Sequence, residues 1–115
     1  MQYNHGHWVS SHQFDPVDYF GFIYIITNKI TNQKYIGRRN FILLSESTIA
    51  WKRYKSSSYF VKEDIKKYGK DNFIFEIIEL HTGLESLIQR EIELQIENDV
   101  LNKKLPSGAR AFYNR

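Results

Sequence analysis

Residues 22–37 constrain the fold of this chain more than any other stretch, because they form two strand-like runs around a tight connection. Phe22–Thr27 and Lys34–Gly37 are rich in β-branched and aromatic residues, which suit a pleated, half-buried surface. Between them Asn28, Lys29, Thr31, Asn32 and Gln33 supply turn chemistry, since asparagine tolerates left-handed backbone and caps its own turn. A hairpin here places Tyr24 and Tyr35, eleven positions apart, on neighbouring strands. Paired tyrosines can be ordinary cross-strand packing. In a chain with eight tyrosines, that explanation stands beside a chemical one.

At 115 residues the chain supports one domain with a real core, and 42% apolar with 16% aromatic content marks it as globular. No apolar run reaches the ~18 residues of a membrane span, and the N-terminus shows no charged-then-apolar signal. The absence of cysteine excludes disulfides, thiol chemistry and cysteine-ligated zinc. These features point to the cytoplasm. The net charge of +3 hides an uneven distribution: residues 29–70 hold eleven Lys or Arg against three acids, and residues 71–102 hold eight acids against Arg90. The basic stretch suits a polyanion, unless the two surfaces neutralise each other across the fold.

Residues 1–20 form a polar and aromatic N-terminal extension without a clear period, expected to pack on the domain through Trp8, Phe14, Tyr19 and Phe20. His5, His7 and His12 lack a fourth ligand, which disfavours a metal site there. A short helix is expected over Glu46–Lys55, with Ser45 as its cap, and Ser56–Ser58 interrupts it. Ser58 should cap a second helix over Tyr59–Tyr68 that Gly69 ends, with Phe60, Val61, Ile65 and Tyr68 as its apolar stripe. Asn72–Leu80 is the third strand, its dense apolar run suggesting a central position buried on both faces.

A third helix is expected from Gly83 to Asn98, with Thr82 and Glu85 as a capping box. At about 100° per residue from Leu84, the residues Leu87, Ile88, Ile92, Leu94 and Ile96 share one arc from about 280° round to about 120°. Glu91 falls inside it at about 340°, with Gln95 beside it at about 20°. A carboxylate on an apolar face costs free energy unless it is paired, metal-bound or at a cleft.

The triplet Phe22-Ile23-Tyr24, the closing Tyr35-Ile36-Gly37 and the tyrosine spacing resemble the GIY-YIG nuclease family, over about residues 21–114. Phe22 stands where that family usually has glycine. The resemblance implies an α/β (α+β) catalytic domain over residues 21–115, a small three-stranded antiparallel sheet flanked by helices. It implies that Glu91, in a stretch similar to phage-encoded members, binds the catalytic metal, and that Tyr113-Asn114 is the aromatic-Asn pair closing the core. The family's usual helix arginine is missing. Counted from the second tyrosine it falls at Ser45, and aligned on Trp51-Lys52-Arg53 it falls at Ala50. Arg38 and Arg39 look like the variant with a basic residue after Tyr-Ile-Gly. Strand alternation puts Arg39 on the face of Tyr35, but Gly37 can break that register, so both stay open, with Arg53 in reserve.

The activity implied is metal-dependent hydrolysis of DNA phosphodiesters. Glu91 would hold Mg²⁺, or another divalent ion such as Mn²⁺, and Tyr24 or Tyr35 would orient water and take its proton. Arg38 or Arg39 would complement the phosphate, Asn114 would complete the site, and Lys34, Lys52, Arg53, Lys55, Lys62 and Lys66 would follow the DNA backbone. For a phage or mobile-element protein the address is the host cytoplasm. The alternatives are a degenerate module of this fold that binds nucleic acid or protein without cutting, or a purely structural domain. One site attacks one strand at a time, so self-association on DNA, through the aromatic extension, or a separate DNA-binding partner is expected.

Overall fold

The computed structural model describes residues 2–43 and 46–115. Five strands form one sheet: β1 (Tyr3–His5), β2 (Trp8–Ser10), β3 (Gly21–Asn28), β4 (Lys34–Asn40) and β5 (Phe73–His81). Among the described residues there are two α-helices, α1 (Tyr59–Tyr68) and α2 (Leu84–Glu97). The mixed α/β class is as expected, and the sheet is larger than the three strands expected. Its order is β1-β2-β5-β3-β4, all neighbours being antiparallel except β2 and β5, which run parallel. The extra strands are three residues each, too short for alternation to show, and their turn is set by Gly6 at φ 64. Their place beside β5 is a long-range pairing that no local pattern announces.

The β3–β4 hairpin runs in unbroken register from Gly21 opposite Asn40 to Thr27 opposite Lys34. Asn28 holds its turn through Oδ1, which accepts from the backbone N–H of Ile30 at 2.9 Å and of Thr31 at 3.3 Å, and Asn32 takes φ 68. Residues Phe22, Tyr24 and Ile26 face one cluster with Trp8, Phe41, Trp51, Val61 and Phe75, while Ile23 faces a second with Ile36, Leu87 and Phe112. The strand buried on both faces is therefore β3. Strand β5 is central, as expected, but its burial alternates, with Ile74, Glu76 and Ile78 exposed, because α2 covers mainly β3 and β4.

Helix α1 begins and ends where its caps require: the Ser58 side chain accepts from the Val61 N–H at 3.3 Å, and the Gly69 N–H, at φ 91, reaches the Ile65 carbonyl at 2.9 Å. The expected helix over Glu46–Lys55 is not formed. Only a single 3₁₀ turn, Ala50–Arg53, appears, because Trp51 sinks into the aromatic core and Tyr54 leaves the turn in extended backbone. The cap expected at Ser45 lies outside the described residues. Thr82 does not cap α2; Gly83 occupies that position without a side-chain bond. Of the apolar arc on α2 only Leu87 is fully buried, and Leu84, Ile92 and Ile96 are exposed.

The aromatic extension serves its own domain. Trp8 is 0% exposed, Phe14 and Tyr19 pack against the first cluster, and Phe20 against the second. No described helix is long and apolar enough to cross a membrane.

Candidate active site

The two tyrosines meet on one face of the hairpin, with ring centroids 6.1 Å apart and planes at 35°. Register makes this possible: Tyr24 lies opposite Gly37, and Tyr35 lies opposite Ile26 on the same face. Gly37 matters for space. A Cβ there would stand 2.5 Å from the Tyr24 phenol oxygen and 2.8 Å from the Tyr35 ring. The bare backbone lets both rings lie against the strand.

Tyr24 is 1% exposed, and burial raises its phenol well above the ordinary range; the nearby Tyr54 and Tyr35 phenols add to this, while the Ser56 hydroxyl opposes it. Tyr35 is half-buried and its pKa is also raised, first by burial, then by Tyr54 and by the charge of Glu91, against the hydroxyls of Ser57 and Ser56. Both phenols are held protonated.

Because β4 keeps its register through Gly37, the two arginines face opposite sides. Arg39 lies on the tyrosine face, where Nη2 donates to Glu46 Oε2 at 2.8 Å and the guanidinium lies 4.5 Å from the Tyr54 ring centroid. Arg38 turns to the α2 face, where its Nε stands 3.3 Å from Glu91 Oε1. Burial raises the Glu91 carboxyl above the usual range, and Arg38 partly offsets that. The carboxylate is thus half-buried, paired, and at the rim of the sheet.

Past Lys34 the outer edge of β4 is sealed by the C-terminal tail. The Lys34 N–H donates to Ala111 O at 2.9 Å, and the Tyr113 N–H to Lys34 O at 2.7 Å. Asn114 continues the pairing with its side chain, accepting from the Ile36 N–H at 3.1 Å and donating to Ile36 O at 2.8 Å, where Gln95 also donates. Both ends of the Asn114 amide are thereby engaged with backbone. Beside this edge a cleft of about 550 Å³ opens between the start of α1 and the end of α2, with Tyr35, Ser57, Gln95, Tyr113 and Asn114 in its wall. Glu91 and Arg38 stand beside this cleft, not in its lining.

A family model described as "Putative endonuclease segE, GIY-YIG domain" matches residues 7–115. The chain belongs to the GIY-YIG family. Two curated relatives from Enterobacteria phage T4 are similar to it: "Putative endonuclease segC", 35% identical over 83 residues, and "Putative endonuclease segB", 35% identical over 91 residues. These alignments cover 72% and 75% of this chain but only 39% and 38% of the relatives, so it spans about two fifths of their length. No solved structure matches it.

Within this GIY-YIG domain, Tyr24, Tyr35, Arg38, Arg39, Glu91 and Asn114 all lie on or beside the β3–β4 hairpin. Among the basic residues expected to follow DNA, Arg53 on the Ala50–Arg53 turn, Lys55 just past it, and Lys62 and Lys66 on α1 are exposed, and Lys34 and Lys52 are half-buried. Lys66 also pairs with Glu63 at 3.5 Å. Three neighbours of the tyrosines escaped the sequence, namely Tyr54, Ser56 and Ser57. Ser56 is buried with φ 98, a backbone state costing roughly 1–3 kcal/mol in a residue other than glycine. Their signal was a Tyr and three Ser just past Trp51, but their position depends on an irregular chain path.

The described residues contain no cluster of three His, Asp or Glu side chains able to cage a metal ion. Glu91 offers a single hard-oxygen ligand. That donor set fits Mg²⁺, which keeps several waters and is commonly held by one or two carboxylates together with substrate phosphate.

Proposed function

We propose that this chain is the catalytic domain of a divalent-metal-dependent DNA endonuclease that hydrolyses phosphodiester bonds at the cleft beside the tail-sealed edge of β4. The observation that carries the proposal is the half-buried Glu91 carboxylate, 3.3 Å from Arg38, whose charge is felt by Tyr35 across the strand edge. A carboxylate there is costly for a fold that merely binds.

Glu91 would hold Mg²⁺ or Mn²⁺, and Arg38 beside it would meet a phosphate oxygen. When bound, the ion would supply Lewis-acid stabilisation of the charge on the pentacoordinate phosphorane oxygens and on the departing 3′ oxygen. Tyr35, protonated and open to the cleft, would orient the attacking water through its phenol oxygen. The water's proton would pass to a substrate phosphate oxygen and not, as expected from the sequence, to a phenol. Tyr24, sealed beneath it, fixes the ring of Tyr35 through packing. Asn114 acts by holding Ile36, and so the strand end that carries Gly37 and Arg38. The exposed cations on the Ala50–Arg53 turn and α1 follow the DNA backbone. For a phage-type enzyme, the host cytoplasm is the place of action.

Incubation with supercoiled plasmid tests this. Nicked and then linear DNA should form with Mg²⁺ and not with EDTA. DNA binding without cleavage in Mg²⁺ or Mn²⁺ would make the domain a binding module instead.

A further inference from the structure

The N-terminal hairpin touches the active-site face through three consecutive residues, and all three meet backbone. His7 Nε2 lies 2.7 Å from the Tyr54 carbonyl oxygen. A carbonyl only accepts, so this nitrogen carries the proton. The Trp8 indole N–H donates to the Trp51 carbonyl at 2.8 Å. Gly6 lies so close that a Cβ on it would stand 2.5 Å from the Lys52 carbonyl oxygen. The clamped segment has little regular structure of its own. One 3₁₀ turn, Ala50–Arg53, is followed by Tyr54 in extended backbone, so contacts from outside set its position.

Tyr54 in turn touches Tyr24, which packs beneath Tyr35, and Arg39 on the same face. Its ring meets the Tyr24 ring edge-on, at 6.1 Å and 76°, and the Arg39 guanidinium lies 4.5 Å from its centroid. A hairpin that only widened the sheet would need apolar burial alone. It would not need donors aimed at the carbonyls of residues 51 and 54 across 43 and 47 positions of chain.

We propose that the β1–β2 hairpin is a positioning device for the active site: Gly6, His7 and Trp8 fix the Trp51–Tyr54 backbone, and Tyr54 then fixes Tyr24 and Arg39. None of the three hairpin residues touches substrate. The consequence for turnover rests on the nuclease reading above, whereas the geometric claim does not.

The decisive variants, made in the full chain, are His7→Phe, which keeps a ring against Phe75 but has no donor, and His7→Gln, which restores one. His12→Ala, exposed on the same extension, is the control. Each is labelled with 3-fluorotyrosine, the Tyr24 and Tyr54 signals being assigned through Tyr→Phe variants, and is assayed for single-turnover cleavage and duplex affinity below its melting range. In His7→Phe both fluorine signals should move and cleavage should slow by on the order of tenfold to a hundredfold, as for a small misplacement of reacting groups. Affinity should hold within about twofold, because the loss lies in the chemical step. His7→Gln should recover most of the rate, and His12→Ala should match wild type. Unmoved Tyr24 and Tyr54 signals in folded His7→Phe would overturn the proposal, as would a rate loss that His7→Gln fails to repair. A wild-type protein that cuts no DNA would defeat the nuclease reading, and the fluorine signals would then decide the positioning claim alone.

Discussion

Arg38 and Arg39 are neighbours in sequence with opposite surroundings. The side chain of Arg39 is 8% exposed among the aromatic rings, paired to Glu46 and stacked on Tyr54. Arg38 is 37% exposed and reaches across to the 19% exposed Glu91 on α2. A strand's period of two is enough to separate them. The tyrosine face is tightly packed, and a charge there works by holding rings in place. The α2 face is half-wet at its rim, and a charge there remains available to a phosphate. Among the described residues Arg39 Nε has no hydrogen-bond partner, because the guanidinium bonds Glu46 through Nη1 and Nη2 alone.

The comparison breaks most readily at Glu91. Glu91→Gln keeps volume and hydrogen bonding but removes the charge, so plasmid cleavage should fall by at least about 100- to 1000-fold. Its melting temperature should change little, because an ion pair near the surface contributes about 0–1 kcal/mol. Plasmid cleavage at the wild-type rate would remove Glu91 from the site. The arginines sharpen the contrast. Arg38→Ala should slow turnover by about 100-fold with duplex affinity nearly kept. Arg39→Ala should slow it too, but with a loss of roughly 1–3 kcal/mol in urea unfolding, since it empties a buried site and removes a ring contact. Arg53→Ala should be the mildest of the three. If it alone abolished cleavage, the Ala50–Arg53 turn would supply the arginine and the contrast would fail.

A smaller effect should appear in the pH dependence of the aromatic side. Burial, followed by Lys70 and Lys55, holds His7 down to about 4 against an ordinary 6.5, although its bond to the Tyr54 carbonyl opposes the shift. Between pH 6.5 and about 4 the unfolded chain takes up a proton that the folded chain refuses. Stability should therefore fall as pH drops through that window and be insensitive to His7 above it. Thermal melts of wild type and His7→Phe should diverge in slope only there; parallel slopes would show a well-hydrated ring. The smallest effect is expected at Thr82, which no longer has a capping role. Thr82→Ala should shift unfolding by less than about 0.5 kcal/mol, and a larger shift would restore the capping box.

Much of the placement of the candidate residues was legible because they lie within regular elements. The hairpin follows from β-branched runs around an asparagine turn, and that hairpin alone brings Tyr24 and Tyr35 together. Glu91 stood out as a carboxylate inside an apolar arc, and it is half-buried against Arg38, though much of that arc is exposed. The choice between the two arginines was not legible, because it turned on whether Gly37 interrupts the strand register. It does not, since the Tyr24 ring end fills the space a side chain would need. The helix expected over Glu46–Lys55 failed for a related reason: burial of Trp51 outweighed local helical pattern.

The sequence by itself determined the elements whose signals are local: the β3–β4 hairpin, the caps of α1 at Ser58 and Gly69, the run of β5, and the length of α2. Periodicity and capping act over a few residues, so the chain carries them in plain order. Only the tertiary structure decided that β2 lies parallel to β5, that His7 and Trp8 hold the Trp51–Tyr54 segment, and that Asn114 closes on Ile36. It also decided that Tyr113, its pKa pushed up to about 12 by burial, accepts from Asn28 and donates to Asp64. These contacts join residues 43 to 85 positions apart, and each requires a buried donor or acceptor to find its partner across the assembled core. Such pairings are enforced by the cost of leaving a polar group dry and unpaired, a cost that exists only once the core has closed.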